Sequence, residues 1–475
     1  MSQATQLIAS QYRDAELTRR LWSGVRINVK TFGAQGDGVT DDALAFELAV
    51  EALPEVGGVL EFPPGRYYSS RAIFIENKDV TIVGAGVQQT LLFFPDSDGI
   101  IYSTTNLFSD GFMCFDLSLV SVANDKYTGI RVAYPSNMGS AWVNTIIERV
   151  VCTGSSGIAQ YTDGSNNNQV GENNWKVGIY LENSSVSFVS KCVTRAAAPN
   201  GGIGVWIAGW TVDVLVQDCR FYGSGIGVNK SDKGEGLIVE QCIFVNVERG
   251  VVVNEGATQQ QGVWVSVQNS HINYSHQGIA IIKQPQVFID NCLIYKQGPD
   301  SGGFDILLSE CDRSRITNSS LIVRQGSGYS NGVVLQNSDT VILGGNIIQE
   351  REVGVWVQEN CNGIIIRSDN VISDNQTNIL NSSPEGVYLE PRQCTFQKVE
   401  ALNDGQTQIT IPIPANTFLS VPKFGNVISS SSNQWIHGYY DYEGSTSTIA
   451  KFNIKRNDGA TIGTEIVRFS ITLTE

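Results

Sequence analysis

Five residues past a recurring glycine slot, the chain places Glu255, Lys283, Glu310, Asn337 and Glu359 on successive repeats. Two glutamates flanking a lysine could supply a general acid and a general base. If each repeat is one coil of a stacked fold, Glu255 and Glu310 stand roughly 9–10 Å apart, near the upper end of the roughly 6.5–9.5 Å used when two carboxyls invert a glycosidic bond. The competing reading is an exposed charge ladder in which Lys283 neutralises its neighbours, worth under about 1 kcal/mol per pair. Asp305 breaks the glycine slot inside GPDSGGFDILLSECD, the densest acidic stretch of the repeats, and is either a second carboxylate or part of a polar turn.

The slot itself opens a four-residue pattern: GIRV at Gly129, GIYL at Gly178, GVWI at Gly204, GIGV at Gly225, GVVV at Gly250, GIAI at Gly278, DILL at Asp305, GVVL at Gly332 and GVWV at Gly354. From Gly178 onward the steps are 21 to 28 residues, and the 49 between Gly129 and Gly178 fits two coils. Such a period with variable insertions marks a β-solenoid, in which parallel strands return by turns and no crossover helices are needed. A second rank, DCRF, QCIF, NSHI, NCLI, NSSL and DNVI, puts polar residues where stacked coils could pair their amides. Cys192, Cys219, Cys242 and Cys292 share its small-residue position with Ser270 and Ser319, as inward-packing free thiols would.

Ahead of the repeats, residues 3–23 carry apolar residues at roughly helical spacing up to Gly24, which predicts a short helix. The stretch FGAQGDGVTDD follows a strand-like RINVKTF. Thr40 is placed to cap a helix reaching about Leu53, with Asp41 and Asp42 in its first turn and apolar stripes of Leu44 and Leu48 beside Phe46, Val50 and Leu53. The segment Asn28 to Tyr67, NVKTFGAQGDGVTDDALAFELAVEAL…GGVLEFPPGRY, resembles the entrance of the pectate-lyase-like superfamily of right-handed parallel β-helices, which includes polysaccharide lyases, glycoside hydrolases, alginate epimerases and bacteriophage tailspikes. The resemblance implies a cap over the first coil, so the three aspartates are read as turn and helix-start residues.

The expected architecture is all-β: an N-terminal helix over 1–26, a capped right-handed parallel β-helix over 27–398, and a small C-terminal β-sandwich over 399–475 built from TQITIPI, TFLSV, QWIHGYYDY, TIAKFNIK and EIVRFSITL. This layout resembles a bacteriophage tailspike. That implies a virion-tail protein made in the host cytoplasm, a parallel homotrimer, attachment to a tail or adaptor protein through the N-terminal helix, and a host-surface polysaccharide as target. Cleavage by hydrolysis, a lyase reaction with Lys283 or calcium neutralising a uronate, and adhesion without cleavage are the three readings that follow.

Exposed aromatic faces stack on sugars, so Trp175, Trp206, Trp210, Trp264 and Trp356 are candidate binding residues, with inward packing as the alternative. Trp206 and Trp356 stand two after the slot, in line with Tyr180. The polar insertion Gln160 to Trp175 could shape a rim. A formal charge of −15, with no basic run beyond Arg19-Arg20, argues against nucleic acid. No signal-peptide pattern and no run of 18 apolar residues is present. The three histidines have no third ligand at zinc spacing, so no zinc site is expected; no cofactor is expected either, with calcium left open for the lyase reading.

Overall fold

The computed structural model describes residues 25–105, 111–123, 125–136, 145–154, 174–196, 201–257, 262–323, 326–383 and 386–389, and from the C-terminal region 393–403, 406, 408–412, 424–429, 436–446, 449–456 and 465–474. The helix expected over residues 3–23 and most of the insertion 160–175 lie outside these residues.

Thirty-five strands join in one continuous parallel ladder that winds as a solenoid with three faces. Sheet A carries the glycine-slot strands, such as Thr128–Ala133, Val177–Glu182, Gly201–Ala208 and Ser224–Lys230. Sheet B includes Gly234–Glu240, Val265–Gln268, Val287–Asp290 and Ser314–Thr317. Sheet C includes Arg220–Tyr222, Leu293–Lys296 and Ser320–Val323. One continuous apolar cluster fills the bore from Val29 to Ile372.

The glycine slot faces that bore. A Cβ on Gly204 or Gly227 would sit 2.4 Å from a ring carbon of Phe221 or Phe244, and one on Gly250 would sit 2.4 Å from the Gly278 carbonyl oxygen of the next coil. Phe221 and Phe244 stack at 4.7 Å against the vacated space. The pairing corrects two sequence expectations. Val205 stands opposite Val228, so the fourth slot is Gly227 and not Gly225. Ile130 stands directly opposite Ile179, so the 49 residues from Gly129 to Gly178 form one coil with a long insertion, not two coils.

The second rank forms the corner between sheets B and C. Lys191, Asp218, Gln241, Asn269, Asn291 and Asn318 all adopt left-handed φ between 51° and 55°. Asn291 donates to Asn269 at 2.8 Å in that column. The next position points inward: Cys192, Cys219, Cys242 and Cys292 are buried free thiols, each donating to carbonyls of its own and the preceding coil. Ser270, Ser319, Asn346 and Asn370 continue that column by accepting backbone N–H groups from the coil before.

At the entrance the aspartates serve turns, in a different arrangement from the one expected. RIN is a strand, Val29–Phe32 is a 3₁₀ turn, and Asp37–Asp41 pairs as a strand before the helix Ala43–Glu51. Thr40 does not cap the helix: Asp42 occupies the cap position and sends its buried carboxylate back to Gln35 N at 2.7 Å and Gly36 N at 3.2 Å. Asp37 accepts from Val39 and Thr40, and Asp41 from Ala43 and Ser70. The helix buries Phe46 against Phe62 and Tyr67, whereas Leu44 and Leu48 are 60% and 42% exposed, so that stripe faces outward. Asp42→Ala leaves the Gln35 and Gly36 N–H groups without their acceptor and is expected to lower stability by about 1–2 kcal/mol, read as a shift in the denaturation midpoint.

The C-terminal strands form one six-stranded antiparallel sheet, ordered Gln393–Leu402, Glu465–Thr474, Phe424–Ser429, Ile436–Thr446, Ile449–Arg456 and Gln408–Pro412. In the described residues these strands form a single ladder, and its first strand begins at Gln393, before residue 399. TFLSV lies outside the described residues.

Candidate functional site

Along sheet A, bore-facing residues such as Ile130 and Val132 alternate with residues on the outer face. The register aligns Arg131, Tyr180, Trp206, Asn229, Val252, Ala280, Leu307, Val334, Trp356 and Leu380 in one outward column. Trp206 and Trp356 therefore share a face, as their spacing predicts, six coils or about 29 Å apart. Between them, Val252, Ala280 and Val334 are buried, and Asn229 and Leu307 are half-buried.

The two ends differ in chemistry. At the first, Tyr180 packs edge-on against Trp206 with ring centroids 5.3 Å apart, and the Arg131 guanidinium lies 5.4 Å above the Tyr180 ring while pairing with Glu182 at 3.0 Å. Burial, then the Glu182 carboxylate, pushes the Tyr180 hydroxyl above its ordinary pKa. Trp206 Nε1 donates to Ser231 Oγ at 3.0 Å, leaving its ring partly open. At the other end, Trp356 Nε1–H is shielded and has no acceptor among the described residues.

Along one edge of this face runs the turn that was expected to carry the paired carboxylates. Lys283, Glu310 and Asn337 do stack at a left-handed corner, with φ of 53°, 55° and 45°. In the coil of Glu255 that corner is Asn254, and in the coil of Glu359 it is Asn360. A one-residue change in where the turn starts thus takes Glu255 and Glu359 out of the column. Glu255 pairs with Arg249 of its own coil at 2.6 Å, and Glu310 with Lys283 at 3.3 Å. Each glutamate has its own cation, and the facing pair predicted from the spacing is not assembled.

Two expected site residues lie inside the solenoid. Asp305 occupies the inward glycine slot and is fully buried, with Arg351 Nε 2.7 Å from Oδ2 and Tyr274 Oη donating to Oδ1 at 2.6 Å. Burial pushes its carboxyl up to about 7, against the opposing pull of Arg351 and Tyr274. Trp175 is buried beside Phe94 and donates Nε1–H to the Leu119 carbonyl. Neither reaches a ligand on the outer face. No group of three or more His, Cys, Asp or Glu side chains is placed to hold a metal ion among the described residues.

The family described as rhamnogalacturonase A/epimerase, pectate lyase-like, matches residues 26–252, and the right-handed β-helix region family matches 256–390. Residues 26–390 form a right-handed parallel β-helix, of which 26–252 match the pectate-lyase-like model. Over 138 residues the chain is 36% identical to mannuronan C5-epimerase AlgE6 of Azotobacter vinelandii, and over 73 it is 42% identical to the pre-neck appendage protein of Bacillus phage phi29. These matches take in 26% and 15% of this chain, and span only 16% and 8% of the two relatives. Among solved structures, the AlgE6 A-module superposes with a TM-score of 0.50 at 16% identity, covering 76% of this chain and 98% of that one. The Dettilon tailspike protein also reaches 0.50, at 11% identity, covering 95% and 94%. At these identities the likeness is one of fold: the β-helix is shared, and its chemistry must come from its own side chains.

Proposed function

We propose that the chain is a phage-tail spike that binds polysaccharide on the host surface along the outer face of sheet A and acts on it. The observation that carries this reading is the outward column from Tyr180 and Trp206 to Trp356: half-buried aromatic rings at both ends and a polar edge beside it, long enough for several sugar rings in line. The partial matches to a phage appendage protein and a polysaccharide-modifying enzyme support the same reading.

In this proposal Glu255 and Glu310 are the carboxylates for cleavage, with Lys283 beside a substrate's acidic or hydroxyl groups. Hydrolysis requires the substrate to draw one glutamate from its cation, so that one carboxyl protonates the glycosidic oxygen while the other activates water. The separate ion pairs to Arg249 and Lys283 favour a second reading, adhesion without cleavage. Incubation with envelope polysaccharides of candidate hosts, followed by sizing of the products, separates the two: shortened chains support cleavage, and binding without shortening supports the adhesin. Full rate in both Glu255→Gln and Glu310→Gln would remove these residues from the chemistry. Trp206→Ala is expected to weaken glycan binding about tenfold by titration calorimetry, the upper range for one aromatic face.

The spike is proposed to work as a homotrimer joined to the tail. Leu293, Ile347 and Val371 lie in one outward column of sheet C, all exposed, and offer parallel copies an apolar flank. Light scattering at the mass of one 51.6 kDa chain would contradict the trimer.

A further inference from the structure

Sheet B carries a second groove, on a different face from the proposed polysaccharide site. Its volume of about 410 Å³ falls within the range of small-molecule sites. Trp264 closes one end, and three successive coils contribute Ser266 and Gln268, Phe288 and Asp290, then Arg315 and Thr317. The register puts Ser266, Phe288 and Arg315 in one outward column and Gln268, Asp290 and Thr317 in the next. Coil spacing and strand rise make this a patch of about 10 Å by about 7 Å.

Three features set the patch apart from an ordinary solvated face. Arg315 is exposed and has no ion pair among the described residues, in a chain whose net charge is −15. Trp264 holds a left-handed φ of 66°, an outlier for so bulky a residue. Its backbone is pinned there, the N–H donating to the Pro285 carbonyl at 2.9 Å and the carbonyl accepting from Gly236 N at 3.1 Å. Backbone strain of this kind persists where the surroundings over-determine it, and here it carries the indole to the mouth of the groove. Finally, Asp290 is oriented: its Oδ1 accepts from Thr317 Oγ1 at 2.6 Å and Asn318 Nδ2 at 2.9 Å.

We infer that this groove binds a saccharide unit bearing an anionic group. The Trp264 and Phe288 rings offer apolar faces to a sugar ring. The Arg315 fork takes the carboxylate or phosphate bidentately. Asp290 and Gln268, in the adjacent column, meet hydroxyls on the side away from the charge. That division keeps the Asp290 carboxylate apart from the ligand's anion. The site is independent of the sheet A reading, and either can fail without the other.

The test is titration calorimetry of the full chain with three probes: a uronic-acid tetrasaccharide, glucose 1-phosphate and a neutral glucan tetrasaccharide. Binding of the uronate or of the sugar phosphate, weakened tenfold or more by Arg315→Gln, partly restored by Arg315→Lys and lost in Trp264→Gly, supports the site. Which anionic probe binds identifies the source of the charge. Glycine suits the left-handed backbone at 264, so that variant removes the ring without adding strain; unchanged melting of each variant shows that the fold is intact. Loss of the anionic-probe signal in Trp206→Ala together with its full retention in Trp264→Gly would assign the signal to sheet A and overturn the inference. So would no binding of either anionic probe at millimolar concentration, or equal affinity in Arg315→Gln.

Discussion

Arg351→Ala is expected to destabilise the β-helix by about 3–5 kcal/mol, because it leaves the Asp305 carboxylate in the bore without its counter-charge. Arg351 and Asp305 are both fully buried, and the cluster around them includes Tyr274, Ser330 and Lys296. Lys296 donates to the Ser275 carbonyl, and burial holds its ammonium below the ordinary lysine value. Neighbouring coils hold glycine at the Asp305 position, so the paired change Asp305→Gly with Arg351→Met converts the site to its neighbours' pattern. That double variant is expected to recover most of the loss, since apolar replacements for buried ion pairs are often neutral or stabilising. Chemical denaturation of Arg351→Ala and of the double variant measures both effects. A loss below about 1 kcal/mol in Arg351→Ala would show that the pair is not the support described here.

Lys230→Met is expected to stabilise the protein at pH 7, by up to about 3 kcal/mol, and to flatten its alkaline stability profile. Lys230 lies in the bore column between Ile207 and Val253, and its ammonium donates only to the Asp232 carbonyl at 3.3 Å among the described contacts. Burial pulls its pKa down to about 8, with Asp232 opposing the shift. From about pH 8 to about 10.4 the unfolded chain still holds a proton that the folded chain has released, so this group makes stability rise with pH across that window. Below pH 8 the ammonium is charged in both states and the cost of burying it is present in full. Denaturation midpoints between pH 7 and 10.5 check the slope. A parallel rise in Lys230→Met would assign it to another group.

Much of the fold was legible in the residues. The spaced glycines, the alternation beside them and the cysteine rank identified the solenoid, its bore and its free thiols, because each is a local consequence of strand geometry repeated coil after coil. The shared face of Trp206 and Trp356 followed from the same count. The cap was legible in kind, though the partners of its aspartates were not: Asp42 reaches back to Gln35 and Gly36, a contact that depends on how the 3₁₀ turn folds.

The candidate site was legible only in part. GIGVNK holds two glycines two residues apart, and both preserve the alternation, so only pairing with Val205 chose Gly227. Glu255 and Glu310 share a sequence offset, but one turn begins a residue earlier and sends Glu255 to Arg249. Asp305 looked available because aspartate is usually exposed; the inward slot put it in the bore. Trp264, Phe288 and Arg315 come from three separate coils with no common local motif. Alternation along a strand is set by neighbours in the chain, and the sequence alone determines it. Register across coils and the start of each turn are set by φ values and pairing partners some 20 to 30 residues away, and only the tertiary structure decides those.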